Sequence, residues 1–181
     1  LYLGEREAGW LWDRVRGIGS AEVESHGEAE SISRDETFPQ DLRDDQELER
    51  ELLALVTRAA FDLRGDGLTA RTITVKLRDM DFRTRSAQRT LPEPVVSDRV
   101  IMGVVRELLT KLRVARRLPA RLIGVLLSWL AHDPKADQLP LFAPARGPLS
   151  ETEKDRTLAR AVDLVREKFG SKGIIPASLS E

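Results

Sequence analysis

Cysteine is missing altogether from the 181 residues, and the two histidines, His26 and His132, lie far apart. Without thiols there is neither a disulfide framework nor a thiolate metal site, and two distant imidazoles do not make a multi-histidine metal cluster. Aromatics are sparse at 5% while 33% of the residues are charged, a balance that fits a soluble cytosolic protein. No apolar run approaches the roughly 20 residues needed to span a bilayer, so no membrane partner is expected. The chain opens on "LYLGEREAGWLW" without methionine, which reads as the inside of a longer protein.

The charge that is present is unevenly placed. Residues 1–65 hold 8 Lys/Arg and 16 Asp/Glu, for −8; residues 66–130 hold 13 and 6, for +7; residues 131–181 hold 8 and 8, and the three sum to the net −1. A segment so enriched in cations suggests a surface for a polyanion, although basic side chains that merely solvate helix and strand faces would give the same count.

Hydrophobic periodicity divides the chain. Residues 5–16 repeat Ala8, Leu11, Trp12 and Val15 on one helical stripe ending at Gly17 and Gly19, and the acidic "SAEVESHGEAE" after it reads as a linker. "SISRDETF" alternates as a strand, burying Ile32 and Phe38 and exposing Ser31, Ser33 and Thr37. A helix follows with Leu48, Leu52, Leu55, Val56, Ala59 and Leu63 on one face, Asp44 with Glu47 as its cap and Gly65 as its stop. From Arg71 the period becomes two: Ile73, Val75 and Leu77 point one way, Thr72, Thr74, Lys76 and Arg78 the other, and Asp79 to Asp81 turn the chain back as a hairpin. Val100, Ile101, Val104, Val105, Leu108 and Leu112 restore helical spacing. "ARLIGVLLSWL" is a last β-rich run, behind the basic cluster Arg113, Arg116, Arg117 and Arg121.

This order predicts an α+β fold, β-α-β-β-α-β: a four-stranded antiparallel sheet with two helices on one face, plus a short N-terminal helix and a C-terminal helical extension. The opposite sheet face is then open and studded with Ser, Thr, Lys and Arg. In the extension, Ser150 with Glu153 reads as a capping box, and Leu158, Val162, Val165 and Phe169 form an apolar stripe that stops at Gly170. Asp79 and Asp81 have the look of a metal pair, but two turn carboxylates after an alternating strand fit hairpin chemistry better.

At "SISRDETF", "LRGDGLTARTITVKLRDMDFRTRSAQRTL" and "RLIGVLLSWL" the chain resembles the C-terminal little-finger domain of Y-family translesion DNA polymerases, most like the bacterial DNA polymerase IV group. "GWLWDRVRGIG" resembles the last thumb helix of that family, and "QLPLF" with "FGSKGIIPASL" its C-terminal extension. The resemblance implies the end of a thumb over residues 1–19, a linker over 20–29, a little-finger DNA-binding domain over 30–131, an extended tether over 132–149 and a helical extension over 150–181. It places nucleotidyl transfer, with its Mg²⁺ ions, in an upstream palm domain. No cofactor is expected in the present residues, nor polymerisation by them alone. A cytoplasmic, nucleoid-associated bacterial protein is implied.

What the resemblance assigns to this region is a sequence-independent grip on the phosphates of a primer–template DNA duplex. The implied contacts are Ser31, Ser33, Arg34 and Thr37, then Thr84, Ser86 and Arg89, and finally Arg121; the period-two pattern adds Thr74, Lys76 and Arg78. Two departures weaken that grip. Ser33 stands where relatives often have Gly before the arginine, with Asp35 and Glu36 following at once, and Leu122 and Leu126 replace basic residues found in some relatives.

The second partner is read from "QLPLF", which resembles the pentapeptide by which bacterial polymerases and repair proteins dock on the sliding clamp. Its fixed positions, Gln138, Leu139, Leu141 and Phe142, match by chance in a chain this long with odds on the order of a few in a thousand. Pro140 and Pro144 keep the segment extended, so little entropy is lost on docking Leu141 and Phe142 in an apolar pocket. An alternative function stays open from the same motifs: a catalytically inactive polymerase-like scaffold that links the clamp to other repair proteins.

Overall fold

The computed structural model describes residues 4–19, 29–132, 149–170 and 173–179. In chain order these form α1 (Glu5–Val15), β1 (Ser31–Leu42), α2 (Asp45–Gly65), β2 (Leu68–Asp79), β3 (Thr84–Val95), α3 (Asp98–Ala115), β4 (Ala120–His132), α4 (Glu153–Phe169) and a 3-10 turn (Ala177–Leu179). No helix among them is long and apolar enough to cross a membrane.

Both central helices start where their caps dictate. The Asp44 carboxylate accepts from the Gln46 amide at 3.3 Å, and the Ser97 hydroxyl accepts from the Val100 amide at 3.4 Å. Helix α2 runs through Gly65 instead of stopping there, and the chain reverses at Gly67, where φ is 67° and a side chain would be strained. Every apolar residue of the two predicted stripes is buried.

The sheet order is β1-β4-β2-β3, with all neighbours antiparallel. Ile73, Val75 and Leu77 of β2 with Ile123, Val125 and Leu127 of β4 form the floor on which α2 and α3 lie. Burial of such aliphatic side chains supplies most of the stabilisation, roughly 2 kcal/mol each. The predicted α+β architecture is the observed one.

Charge is spent differently from the expectation raised by the cation count. Of the thirteen Lys/Arg in residues 66–130, ten lie against a carboxylate: Lys76, Arg83, Arg85, Arg89, Arg99, Arg106, Arg113, Arg116, Arg117 and Arg121. Arg113, in the predicted basic cluster, is buried, donating to Asp45 at 2.6 Å and to the Arg43 carbonyl at 3.1 Å. Five of the ten, Lys76, Arg106, Arg113, Arg117 and Arg121, meet carboxylates of the acidic first third; Arg83, Arg85, Arg89 and Arg116 pair within the basic segment itself, and Arg99 meets Asp155. An uncompensated guanidinium in a core would cost several kcal/mol, which is why buried Arg113 needs Asp45 and its carbonyl partners.

Helix α4 is stitched to the domain by carboxylates. Glu151 accepts from the backbone amides of Val96 and Ser97 at 2.8 and 2.6 Å, at the start of α3. Arg64, almost fully buried, donates to Asp163 at 2.5 and 2.8 Å, to Asp98 at 2.7 Å and to the Val96 carbonyl at 2.6 Å. Burial opposes its charge, yet Asp163 and Asp98 outweigh that and raise its pKa. Two expectations for α4 are corrected. The capping box is Thr152 with Asp155, not Ser150 with Glu153. Ala159 and Arg166 are the buried residues of α4, with Asp155, Asp163, Val162 and Val165 partly buried, while Leu158 and Phe169 at the ends of the predicted stripe are 62% and 65% exposed. Ion-pair partners on α2 and α3, not apolar area, choose the face. On α1, Trp10, Trp12 and Val15 are likewise exposed.

Candidate nucleic-acid interface

Strand register builds the open face as a four-by-four lattice. One row runs Ser31, Ser128, Thr72, Thr90; the next Ser33, Leu126, Thr74, Gln88; the third Asp35, Gly124, Lys76, Ser86; and the last Thr37, Leu122, Arg78, Thr84. Successive side chains of a strand alternate faces, so these positions share the side opposite the helices. On the edge strands the lattice residues are exposed, and on central β2 Thr74, Lys76 and Arg78 are half-buried by their neighbours.

Eight of the residues singled out from sequence fall on this lattice: Ser31, Ser33, Thr37, Thr74, Lys76, Arg78, Thr84 and Ser86. Three do not. Arg34 pairs across from Val125 on the helix side and is ion-paired with Asp62 of α2. Arg89 pairs across from Ile73, also on the helix side, and meets Glu107 of α3. Arg121 lies at the register shift before Leu122, donating to Asp41 at 3.2 Å with its guanidinium 4.6 Å from the Phe82 ring. Parity explains the first two, since each is one residue out of step with the polar set around it. Gln88, Thr90 and Ser128 complete the rows and were missed, although Gln88 and Thr90 continue the period of two from Ser86.

The lattice is polar but barely charged. Its ionisable members are Asp35, Lys76 and Arg78, for a sum of +1. Lys76 Nζ lies 2.5 Å from Asp35 Oδ2, and Arg78 Nε donates to the Thr84 hydroxyl at 2.9 Å. Asp35 lies over Gly124: a Cβ there would come within 1.7 Å of Asp35 Oδ1. Glycine at this point is what lets the carboxylate fold across the sheet to reach the lysine. Leu122 and Leu126 sit on the lattice as expected and leave an apolar strip through its middle.

The hairpin carboxylates are fully committed. Asp79 accepts from Arg85 at 2.8 and 3.1 Å and from Arg116 at 3.0 Å, and Asp81 accepts from Arg116 at 2.6 Å. The Arg116 bond, opposed by desolvation, holds the Asp81 carboxyl below its usual range. Among the described residues no group of three or more His, Asp or Glu is placed to hold a metal ion.

The impB/mucB/samB family C-terminal domain matches residues 29–141, more than half of the chain and all four strands. The chain belongs to that family. It is 37% identical over 143 residues to DNA polymerase IV of Halorhodospira halophila, covering 79% of this chain and 39% of that protein. Against DNA polymerase IV 1 of Mesorhizobium japonicum it is 31% identical over 175 residues, covering 93% and 38%. The chain thus spans about two fifths of the length of these relatives, which are of the group the three motif blocks resemble. A solved structure described as the post-insertion binary complex of Dbh DNA polymerase superposes with a TM-score of 0.52 at 22% identity, covering 72% of this chain and 37% of that one. That likeness shows the fold alone.

Proposed function

We propose that this family member is the DNA-gripping and clamp-docking region of an error-prone translesion polymerase of the DNA polymerase IV type. The observation that carries the reading is the lattice: four strands present hydroxyls, an amide and two cations on a sheet face that neither α2 nor α3 covers. Such groups bind phosphate oxygens and carry no donor–acceptor code for bases, so the grip is indifferent to sequence, as copying arbitrary template demands. Nucleotidyl transfer belongs, on this reading, to a palm domain outside these 181 residues.

The contacting residues are Ser31, Ser33, Thr37, Thr74, Lys76, Arg78, Thr84 and Ser86, with Gln88 and Thr90 extending the edge. Because Asp35 occupies Lys76, Arg78 is the lattice cation without a carboxylate on it, so counterion release is limited and log affinity falls with log salt at a slope of about −1. Titrating duplexes of unrelated sequence between 50 and 200 mM salt tests this. Equal affinities with that slope support the grip; sequence selectivity or salt independence counts against it.

Clamp docking rests on Gln138, Leu139, Leu141 and Phe142, which lie outside the described residues. Their segment is joined to the domain at both ends, where His132 closes β4 and Leu149 packs on the core. Replacing Leu141 and Phe142 by Ala is expected to abolish binding to a sliding clamp while duplex binding persists; joint loss would assign these side chains to the fold. The inactive-scaffold alternative is separated by nucleotide incorporation with the full-length protein.

A further inference from the structure

Among the described residues, two that are not glycine hold a positive φ: Phe82 at 63° and Trp129 at 56°. Bulky side chains adopt that conformation only when the surroundings impose it, and such outliers cluster at binding sites. The two share three further features. Both rings are mostly exposed, at 65% and 62%. Each lies beneath an arginine, with Arg121 4.6 Å from the Phe82 ring centre and Arg71 4.9 Å from that of Trp129. And they stand at opposite ends of the β2–β4 ladder, Phe82 in the turn beyond Asp79 and Trp129 beside Arg71.

Register explains how Trp129 reaches the open face. The core-side pairs Ile73–Leu127 and Ala70–Leu130, of which Leu130 is partly buried, are separated by three steps, where strict alternation would give two or four. Both the Thr72–Ser128 and the Arg71–Trp129 levels therefore fall between core-side levels while β2 and β4 stay in step; β2 shifts register against β3 between Ala70 and Thr72, and β4 takes the positive φ of Trp129. Trp129 thus extends the lattice beyond its Ser31–Ser128–Thr72–Thr90 row. Arg71 is held by the Leu91 and Pro92 carbonyls at 3.3 and 3.0 Å, and among the described residues no carboxylate neutralises it. At about 3.3 Å per residue, the eight steps from Arg71 to Asp79 set the two platforms roughly 26 Å apart.

We propose that these ring–arginine pairs are stacking platforms for unpaired nucleobases, engaged where a single strand leaves a duplex seated on the lattice. A ring that contributes nothing to the core, is backed on one side by a cation and is continuous with a hydroxyl-rich face suits the π-surface and phosphate of a nucleotide. It does not suit an apolar protein helix. Every base has a π-face, so this recognition also ignores sequence. The seating of the duplex rests on the grip proposed above, whereas the platforms can be read without it.

The test compares the protein with its W129A, F82A and double variants on three probes: a blunt duplex, the same duplex with five-nucleotide single-stranded tails at both ends, and oligo(dT). Unaltered protein is expected to prefer the tailed duplex about tenfold. Each variant should lose about threefold to tenfold on the tailed duplex and on oligo(dT), with blunt-duplex affinity unchanged and W129F restoring the loss at its position. An undiminished tail preference in the double variant, a parallel loss on the blunt duplex, or no binding of oligo(dT) and tails by the unaltered protein overturns the proposal. So does a W129A defect confined to capture of a protein partner. Failure to bind the blunt duplex refutes the grip alone, because oligo(dT) still decides the platforms.

Discussion

Asp35 is the one anion on the lattice, and neutralising it gives the sharpest test of how the face works. Asparagine keeps the size and the position over Gly124 while removing the charge that occupies Lys76. A phosphate taking the place of the carboxylate on Lys76 would lie about 6 Å from Asp35, where like charges repel by about 0.7 kcal/mol in water and about 2.8 kcal/mol at an effective dielectric constant of 20. Both side chains are more than a third exposed, at 37% and 38%, so the lower part of that range applies. About 1 kcal/mol corresponds to roughly fivefold tighter duplex binding. Freeing Lys76 also adds one cation to the counterion ledger, steepening the salt slope by about 0.9. The cost in stability is small, since an exposed pair contributes about 0–1 kcal/mol. Fluorescence anisotropy titrations of Asp35→Asn against a labelled duplex from 50 to 200 mM salt measure both quantities. Unchanged affinity with an unchanged slope would refute the assignment of Lys76 to a phosphate.

The face assignments predict a contrast between arginines. Arg78→Ala is expected to weaken duplex binding about tenfold and to flatten the slope by about 0.9, whereas Arg89→Ala and Arg34→Ala, on the helix side, stay within about twofold in the same titration. Arg64→Ala strands the mostly buried Asp163 and removes four hydrogen bonds, so urea denaturation should show a loss of about 3–5 kcal/mol. The α4 seat should also be acid-labile. Hydrogen bonds from Arg99 and then Thr152 depress the Asp155 carboxyl below its usual value of 3.8. A folded pKa below the unfolded one means the stabilisation is complete above about pH 4 and is lost as pH falls further. The protection factors of α4 amides, corrected for intrinsic exchange, should therefore fall below pH 4 in the parent protein and fall less steeply there in Asp155→Asn.

Which parts of this were legible in the sequence follows from what each residue answers to. The two helix stripes and the β2 alternation were readable because aliphatic burial obeys a fixed period, and Leu48 to Leu63 or Ile73 to Leu77 have no better place to go. Polar residues carry no such constraint. Arg34 and Arg89 stand next to lattice residues in sequence, and only strand parity, which the pattern Ser31-Ile32-Ser33 already contains, puts them on the other side. The ion pairing was unreadable for a different reason: pairing of Arg113 with Asp45, or Arg121 with Asp41, joins residues 68 and 80 apart, which no local pattern reports. Trp129 was unreadable because its exposure depends on one backbone angle.

The anchoring of the tether ties the two proposed partners together geometrically. His132 pairs with Leu68 at one end of the sheet, and Glu151, two residues after Leu149, binds the amides of Val96 and Ser97 next to Val95, which pairs with Ala70 at that same end. Segment 133–148 therefore leaves and rejoins the domain at the Trp129 end of the ladder, away from Phe82. Gln138 is six residues from His132 and Phe142 seven from Leu149, so chain length alone keeps the peptide within about 25 Å of that end. On the proposed reading, a clamp docked there would stand at the Trp129 end of the β2–β4 ladder, opposite the Phe82 turn. The proposed duplex would then take its polarity from where the clamp peptide is joined to the domain and not from the lattice, whose hydroxyls and two cations bind a phosphate backbone in either sense.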